Sequence, residues 1–253
     1  MNNIILKIYN ATKSYNGTKA VNGVSMNFSK GKITSIIGPN RAGKTTLFNL
    51  INGFLKLNDG KIYYNGERID HFPAWKIARL GIGRIFQDIR VFNKITALEN
   101  VLLANKDQPG ENPIVSLFLR KKTLGKESVN IEDAKKWLKF VNLSDKEDSL
   151  AENLSYGQQK LLSISRLLAG GYDLLLLDEP TAGVHPSLAK TILHVIKNMV
   201  EEGKTAVVIE HDMKIIAEIS DFVYFMHEGK VTFSGTPETV LKNSKVKEAY
   251  IGV

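Results

Sequence analysis

Apolar residues change their spacing twice along this chain. In the first part they come in short β-rich runs, residues 4–9, 24–28 and 33–37, broken by the turn pairs Asn16-Gly17 and Lys30-Gly31. A further run, 62–64, ends in Asn65-Gly66, a pair at ease in left-handed backbone that predicts a hairpin. The middle shifts to a helical period. Residues 97–104 carry a compact apolar face, and Ile131, Ala134, Leu138 and Val141 recur at helical spacing. Between them, Pro109-Gly110 and Asn112-Pro113 predict a protruding loop over 106–113. The last part alternates: strand 174–177, helix 186–202, strand 205–210, helix 213–219, then a hairpin of 222–226 and 230–233 turning at Glu228-Gly229. Strand–helix alternation predicts a parallel α/β core, with the helical middle inserted between its two halves.

A length of 253 residues suffices for one large domain carrying a smaller lobe. The longest apolar run, Leu174-Leu175-Leu176-Leu177, is bounded by Asp173 and Asp178 and reads as a buried strand. It falls far short of the ~20 residues a membrane-spanning helix needs. The N-terminus lacks the basic start and long apolar stretch of a signal peptide. The chain has no cysteine, which excludes disulfides and thiolate metal sites and fits a reducing cytosol. A formal net charge of +8 suits nucleotides, nucleic acid or a membrane surface as partners. Lys and Arg are spread along the chain, however, so a solubilising surface charge accounts for it as well.

The strongest chemical signal is Gly38-Pro39-Asn40-Arg41-Ala42-Gly43-Lys44-Thr45, followed by Thr46, between a predicted strand and a predicted helix. This is the pattern G-x-x-x-x-G-K-[ST]. Glycines let the backbone curl so that successive N–H groups face phosphate oxygens, and the following helix adds its positive end. Lys44 is expected on the β- and γ-phosphates, and the Thr45 hydroxyl on Mg²⁺. Alone, the motif establishes only a nucleoside triphosphate.

Two further segments narrow the class. The apolar strand 174–177 ends in Asp178 and Glu179. Asp178 is suited to Mg²⁺ and its water shell, and Glu179 to polarising a water for in-line attack on the γ-phosphate. In Leu154-Ser155-Tyr156-Gly157-Gln158-Gln159, Ser155 and Gln158 form a capping box opening a helix through residue 168, and Gly157 permits close approach of a ligand. With a phosphate loop already in the chain, this second anion site makes sense if it serves the nucleotide of another molecule.

On these segments the chain resembles an ABC-transporter nucleotide-binding subunit over nearly its whole length. The segment from Leu154 is similar to that family's LSGGQ signature, with Tyr156 in place of a glycine. The resemblance implies a P-loop NTPase with a RecA-like α/β core, residues 1–87 and 167–253, and a helical subdomain, 88–166. It implies that Ser155, Gly157 and Gln158 contact ATP held by an opposite subunit. It assigns Gln87, in Arg84-Ile85-Phe86-Gln87, to the loop that touches Mg²⁺ and joins core to helical lobe. It assigns His211, in Ile209-Glu210-His211-Asp212, to the γ-phosphate, and Thr181-Ala182-Gly183-Val184-His185-Pro186 to the loop that communicates across a dimer. Tyr15 falls where the family stacks a ring on adenine, worth ~1–3 kcal/mol. Arg41 departs from the usual glycine and would carry strain if that position needs positive φ.

The segments 78–87, 98–101, 209–213 and 249–252 resemble ATP-binding subunits of branched-chain amino-acid importers. Expected partners are then a second ATPase subunit, transmembrane permeases and an extracytoplasmic binding protein, without nucleic acid, at the cytoplasmic face of the membrane. Importers of urea or amides, lipid and lipopolysaccharide exporters, and soluble ABC ATPases acting on nucleic acid remain alternatives. A GTPase is disfavoured because Asn105-Lys106-Asp107-Gln108 lacks the final Asp of a guanine-reading motif, and a non-hydrolysing subunit because Glu179 and His211 are present. Finally, Ile89, Val91, Phe92 and Ile95 form an apolar segment just beyond Gln87, as a docking site would.

Overall fold

The computed structural model describes residues 3–105 and 120–251, so the loop expected over 106–113 lies outside the described residues. Strand β1 (Ile4–Tyr15) and β2 (Thr18–Ser29) are longer than the apolar runs alone suggest. They pair antiparallel across Asn16-Gly17, with Tyr15 opposite Thr18, and polar residues near the turn continue the ladder. Together with β4 (Asp59–Tyr64) and β5 (Glu67–Arg68) they form a four-stranded sheet ordered β2-β1-β4-β5.

A second sheet has six strands ordered β10-β9-β3-β8-β7-β6. Its centre is β3 (Ile33–Ile37), β8 (Thr205–Ile209) and β7 (Leu174–Asp178), each buried at every position and paired in parallel. Continuous apolar runs are what a strand covered on both faces requires. Around them lie β6 (Ile82–Ile85), β9 (Phe222–His227) and β10 (Lys230–Gly235), the last antiparallel to β9. The pairing sets Ile36 beside Ile209 and Asp178 beside Ile209, so the carboxyl ends of β3, β8 and β7 come level. In open α/β sheets that edge is where ligands bind.

Helix α1 (Lys44–Ile51) starts directly after the glycine loop, two residues earlier than the sequence pattern predicts. Gly43 is its N-cap. Helix α2 (Ala74–Leu80), which the sequence reading did not separate from its surroundings, precedes β6 and ends at Gly81 in left-handed backbone. The helical middle contains α3 (Ala97–Leu102), α4 (Arg120–Phe140) and α5 (Tyr156–Ala169). Then follow α6 (Pro186–Glu201), α7 (Met213–Ile219), α8 (Pro237–Lys242) and α9 (Ser244–Ile251).

The chain divides into two compact units. The first runs to Arg84, resumes over Asp173–Thr181 and again from Ile196; the second comprises Ile85–Tyr172 and Ala182–Val195. The boundary expected at 166/167 thus falls inside α5, and the one expected at 87/88 moves to 84/85. Packing explains the shift at α5. Helix α5 is continuous to Ala169, and Arg166 near its end donates to the Arg90 carbonyl and lies 4.9 Å over the Phe92 ring, both in the second unit. Lys160 Nζ donates to the Ala182 carbonyl at 2.6 Å, which draws the start of 182–195 to the same unit. No helix among the described residues is long and apolar enough to cross a membrane.

Candidate functional site

The loop after β3 is shaped by backbone that ordinary residues avoid. Gly38 (φ 150°), Arg41 (φ 68°) and Gly43 (φ 98°) all have positive φ. A Cβ at Gly38 would come within 2.0 Å of the Met226 carbonyl oxygen, and one at Gly43 within 2.2 Å of that of Ala20. Neither position can hold a side chain without moving a neighbouring strand. Arg41 does occupy the left-handed region, as feared from the sequence, and its side chain is exposed. Pro39 and Ala42 close the loop internally (Ala42 N to Pro39 O, 3.2 Å), and the Gly229 N–H at the β9–β10 turn donates to Ala42 O at 3.1 Å. The distant hairpin therefore props the loop from outside. Asn40 lies on the exposed rim.

Lys44 is only 6 % exposed, and its Nζ donates to the carbonyls of Gly38 (2.7 Å) and Pro39 (3.0 Å). Burial lowers its pKa, while the carboxylates of Glu179 and Asp178 pull the other way. A buried ammonium satisfied only by loop carbonyls is ready to receive an anion. Thr45 and Thr46 occupy the first turn of α1, where the first backbone N–H groups of a helix lack internal partners and no side chain caps them. These residues fit a polyphosphate.

At the end of β7, Asp178 is 3 % exposed. Its Oδ2 accepts a 2.8 Å bond from Nη2 of Arg84, whose own side chain is 5 % exposed. Burial raises the Asp178 pKa, and the bond from Arg84 opposes that rise. With the exposed Thr45 hydroxyl, Asp178 offers hard oxygen donors of the kind Mg²⁺ prefers. The residues therefore fit that ion.

Glu179 follows, also in left-handed backbone at φ 49°, and its Oε1 lies 2.7 Å from Nε2 of His211. The strain at Glu179 is offset by a fixed neighbourhood: its N–H donates to Ile209 O at 3.0 Å. His211 is itself held by Glu210, a buried carboxylate that accepts from the His211 N–H (3.3 Å), the Thr181 N–H (3.2 Å) and the Thr181 hydroxyl (2.5 Å). Glu210 thereby fixes both the stem of the 181–186 loop and the backbone of His211. Tyr15 ends β1 with its ring 44 % exposed and Lys13 Nζ 5.5 Å from the ring centre.

Lys44, Asp178, Glu179 and His211 thus share one sheet edge in the first unit. Gln87, Ser155, Gly157 and Gln158 belong to the second. Gln87 is exposed just beyond β6. Ser155 caps α5 reciprocally with Gln158: Gln158 N–H donates to Ser155 Oγ at 3.3 Å, and Ser155 N–H to Gln158 Oε1 at 2.9 Å. The close approach the structure shows at Gly157 is to Leu188, whose Cδ2 would lie 1.8 Å from an added Cβ. That glycine has a packing reason of its own. Tyr156 is half exposed, with Lys160 Nζ 5.4 Å from its ring.

Sequence reasoning passed over Arg84, Asn49 and Glu210. Glu210 had a signal, since it ends an apolar strand beside His211. Arg84 had none until β6 and β7 were seen in one sheet.

Residues 21–182 match the family model described as ABC transporter. The chain is 38 % identical, over 100 % of its length and 99 % of the relative's, to the high-affinity branched-chain amino acid transport ATP-binding protein BraF of Pseudomonas aeruginosa. Among solved structures it is similar to the ADP conformation of an ATP-binding cassette of an ABC transporter, with TM-score 0.85, 38 % identity and 99 % of each chain covered. It is also similar to a dimeric post-hydrolysis state of an ATP-binding cassette bound to ADP and Pi, with TM-score 0.77, 25 % identity, and 92 % and 98 % of the chains covered.

Proposed function

The chain belongs to the ABC transporter family and is an ATPase, and we propose that it powers uptake of branched-chain or other hydrophobic amino acids by membrane-embedded partners. The observation that carries the catalytic part is the contact of Glu179 with His211 beside Lys44 and Asp178 at one sheet edge. The cargo part rests on the likeness to the branched-chain amino acid transport protein along the whole of both chains.

The substrate is ATP. Its phosphates bind the backbone N–H groups of the 38–45 loop and the Lys44 ammonium, and Tyr15 offers its exposed ring to the base. Thr45 and Asp178 would hold Mg²⁺, and the family resemblance adds Gln87 to that set; the ion would supply neutralising charge to the phosphate oxygens. Glu179 accepts the proton of the attacking water as the water oxygen closes on the γ-phosphorus and the bond from that phosphorus to the β–γ bridging oxygen breaks, with ADP leaving. His211, whose Nε2–H donates to Glu179 and whose backbone is fixed through Glu210, keeps that carboxylate aimed; the same N–H can donate to a phosphate oxygen only after leaving Glu179. Ser155, Gly157 and Gln158 present a helix N-terminus to the nucleotide of a second ATPase subunit, so two ATPs bridge a dimer and hydrolysis releases it. This division of labour supports a peripheral subunit on the cytoplasmic face, with permeases and an extracytoplasmic binding protein completing the system.

The test is reconstitution of the chain with its co-purifying membrane proteins in vesicles. ATP-dependent uptake of labelled leucine or isoleucine, lost on Lys44→Ala together with nucleotide affinity, is expected. ATPase activity stimulated by urea or lipid in place of amino acids would move the cargo to one of the other importer or exporter classes.

A further inference from the structure

Arg84 lies on the carboxylate that the proposed mechanism gives to the metal. Its Nη2 is 2.8 Å from Asp178 Oδ2, its Nη1 is 2.6 Å from Asn49 Oδ1 on α1, and its Cζ stands 5.4 Å over the Phe48 ring. With both side chains of the ion pair at most 5 % exposed, solvent screens the attraction weakly. Arg84, Lys44 and Glu179 all act on the charge of Asp178, the two cations favouring its ionised form and Glu179 opposing it. A divalent cation arriving at Asp178 has to share that carboxylate with a guanidinium already on it. Arg84 is also the last residue of the first unit, and Ile85 opens the second, two positions before Gln87.

We propose that Arg84 is a resident counter-cation for Asp178 that competes with the divalent metal, so that metal occupancy is felt at the strand end leading into the second unit. Without metal, Arg84 ties β7 and α1 to the end of β6. With metal, Asp178 is shared, the hold on Arg84 weakens, and the segment from Ile85 onward loses an anchor. Arg84 acts through Asp178 and is a positioning residue.

This inference rests on Asp178 being the metal-holding carboxylate, and the experiment separates the two. Mn²⁺ is titrated into the ADP-bound protein and free ion is read by electron paramagnetic resonance. Arg84→Met, which removes the competing charge, is expected to bind Mn²⁺ about tenfold more tightly than the parent, and Arg84→Lys to stay near the parent value. Equal or weaker binding by Arg84→Met overturns the proposal. Unchanged Mn²⁺ affinity in Asp178→Asn instead removes the metal assignment on which it depends. Because Arg84→Met strands a buried carboxylate and can fail to fold, the parent protein supplies a second reading. Its Arg84 Nε–H resonance, assigned by its loss in Arg84→Lys, is followed in the ADP complex with chelator and then with Mg²⁺. A clear shift on adding Mg²⁺ supports the proposal, and a resonance indifferent to Mg²⁺ overturns it.

Discussion

Glu179 Oε1 and His211 Nε2 lie 2.7 Å apart although 32 positions separate them in the chain. Each stands just past the end of a parallel strand, and the pairing of β7 with β8 makes the contact unavoidable. In the proposed mechanism this contact keeps the Glu179 carboxylate in a fixed direction toward attacking water.

Glu179→Gln is accordingly expected to leave ATP binding intact and to cut turnover by about 10²–10⁴-fold. The phosphate loop and Lys44 are untouched by this change, so ATP should accumulate in a dimer. Steady-state hydrolysis and size-exclusion chromatography with ATP check both halves. Turnover within a few-fold of the parent would remove Glu179 from the role of base.

Arg41→Gly should stabilise the protein. A non-glycine residue held at φ 68° costs of order 1 kcal/mol or more, and glycine adopts that backbone freely. Part of the gain is returned through the greater freedom of glycine in the unfolded chain. A net gain of about 0.5 kcal/mol raises the melting temperature by about 1–2 °C for a chain of this size. A lower melting point would mean that the exposed guanidinium makes stabilising contacts that outweigh the strain.

Phe92 is 53 % exposed on a backbone clamped from both sides by Asn100, whose side chain accepts from Phe92 N–H at 2.9 Å and donates to Phe92 O at 3.0 Å. A half-exposed ring on a clamped backbone, with Arg166 Cζ 4.9 Å from its centre, suits a membrane partner on its open side. Phe92→Asp is expected to leave nucleotide affinity and folding near normal, while uptake in reconstituted vesicles falls and hydrolysis is uncoupled from it. Normal uptake would exclude Phe92 from coupling, and loss of nucleotide binding as well would mean that the ring serves packing.

Tyr64 provides a pH dependence remote from the chemistry. Burial, helped by the charge of Asp173, pushes its phenol up to about 12 from an ordinary 10, against a smaller opposing bond from Asn65. The folded state therefore holds the proton more tightly than the unfolded chain. The stability this confers is whole below about pH 10 and is lost as pH rises toward 12. Tyr64→Phe forgoes the 3.4 Å bond to Gly81 O and the bond with Asn65, and cannot ionise. Melting temperatures compared at about pH 9 and about pH 11 should show the parent losing ground to the variant. An unchanged difference between the two proteins would contradict that burial.

The sequence by itself determined the elements whose signals are local. Residues 174–177 are an unbroken apolar run, and 33–37 and 205–209 are short runs rich in Ile, Val and Thr, so all three read as buried strands; Ser155 with Gln158 opens a helix because the capping box needs only neighbours. The glycine loop and the Asp178-Glu179 pair carried local signals too, whereas His211 was picked out only by the family resemblance. Tertiary structure alone decided what depends on strand order and on contacts distant in sequence. It put Arg84 on Asp178, made Glu210 the common partner of Thr181 and His211, and propped Ala42 on Gly229. It also assigned the end of α5 to the second unit, where Arg166 packs on Phe92, a contact that leaves no trace in local pattern. The physical reason is common to these cases: a hydrogen bond or ion pair between residues tens of positions apart exists only once the sheet has set its strands side by side.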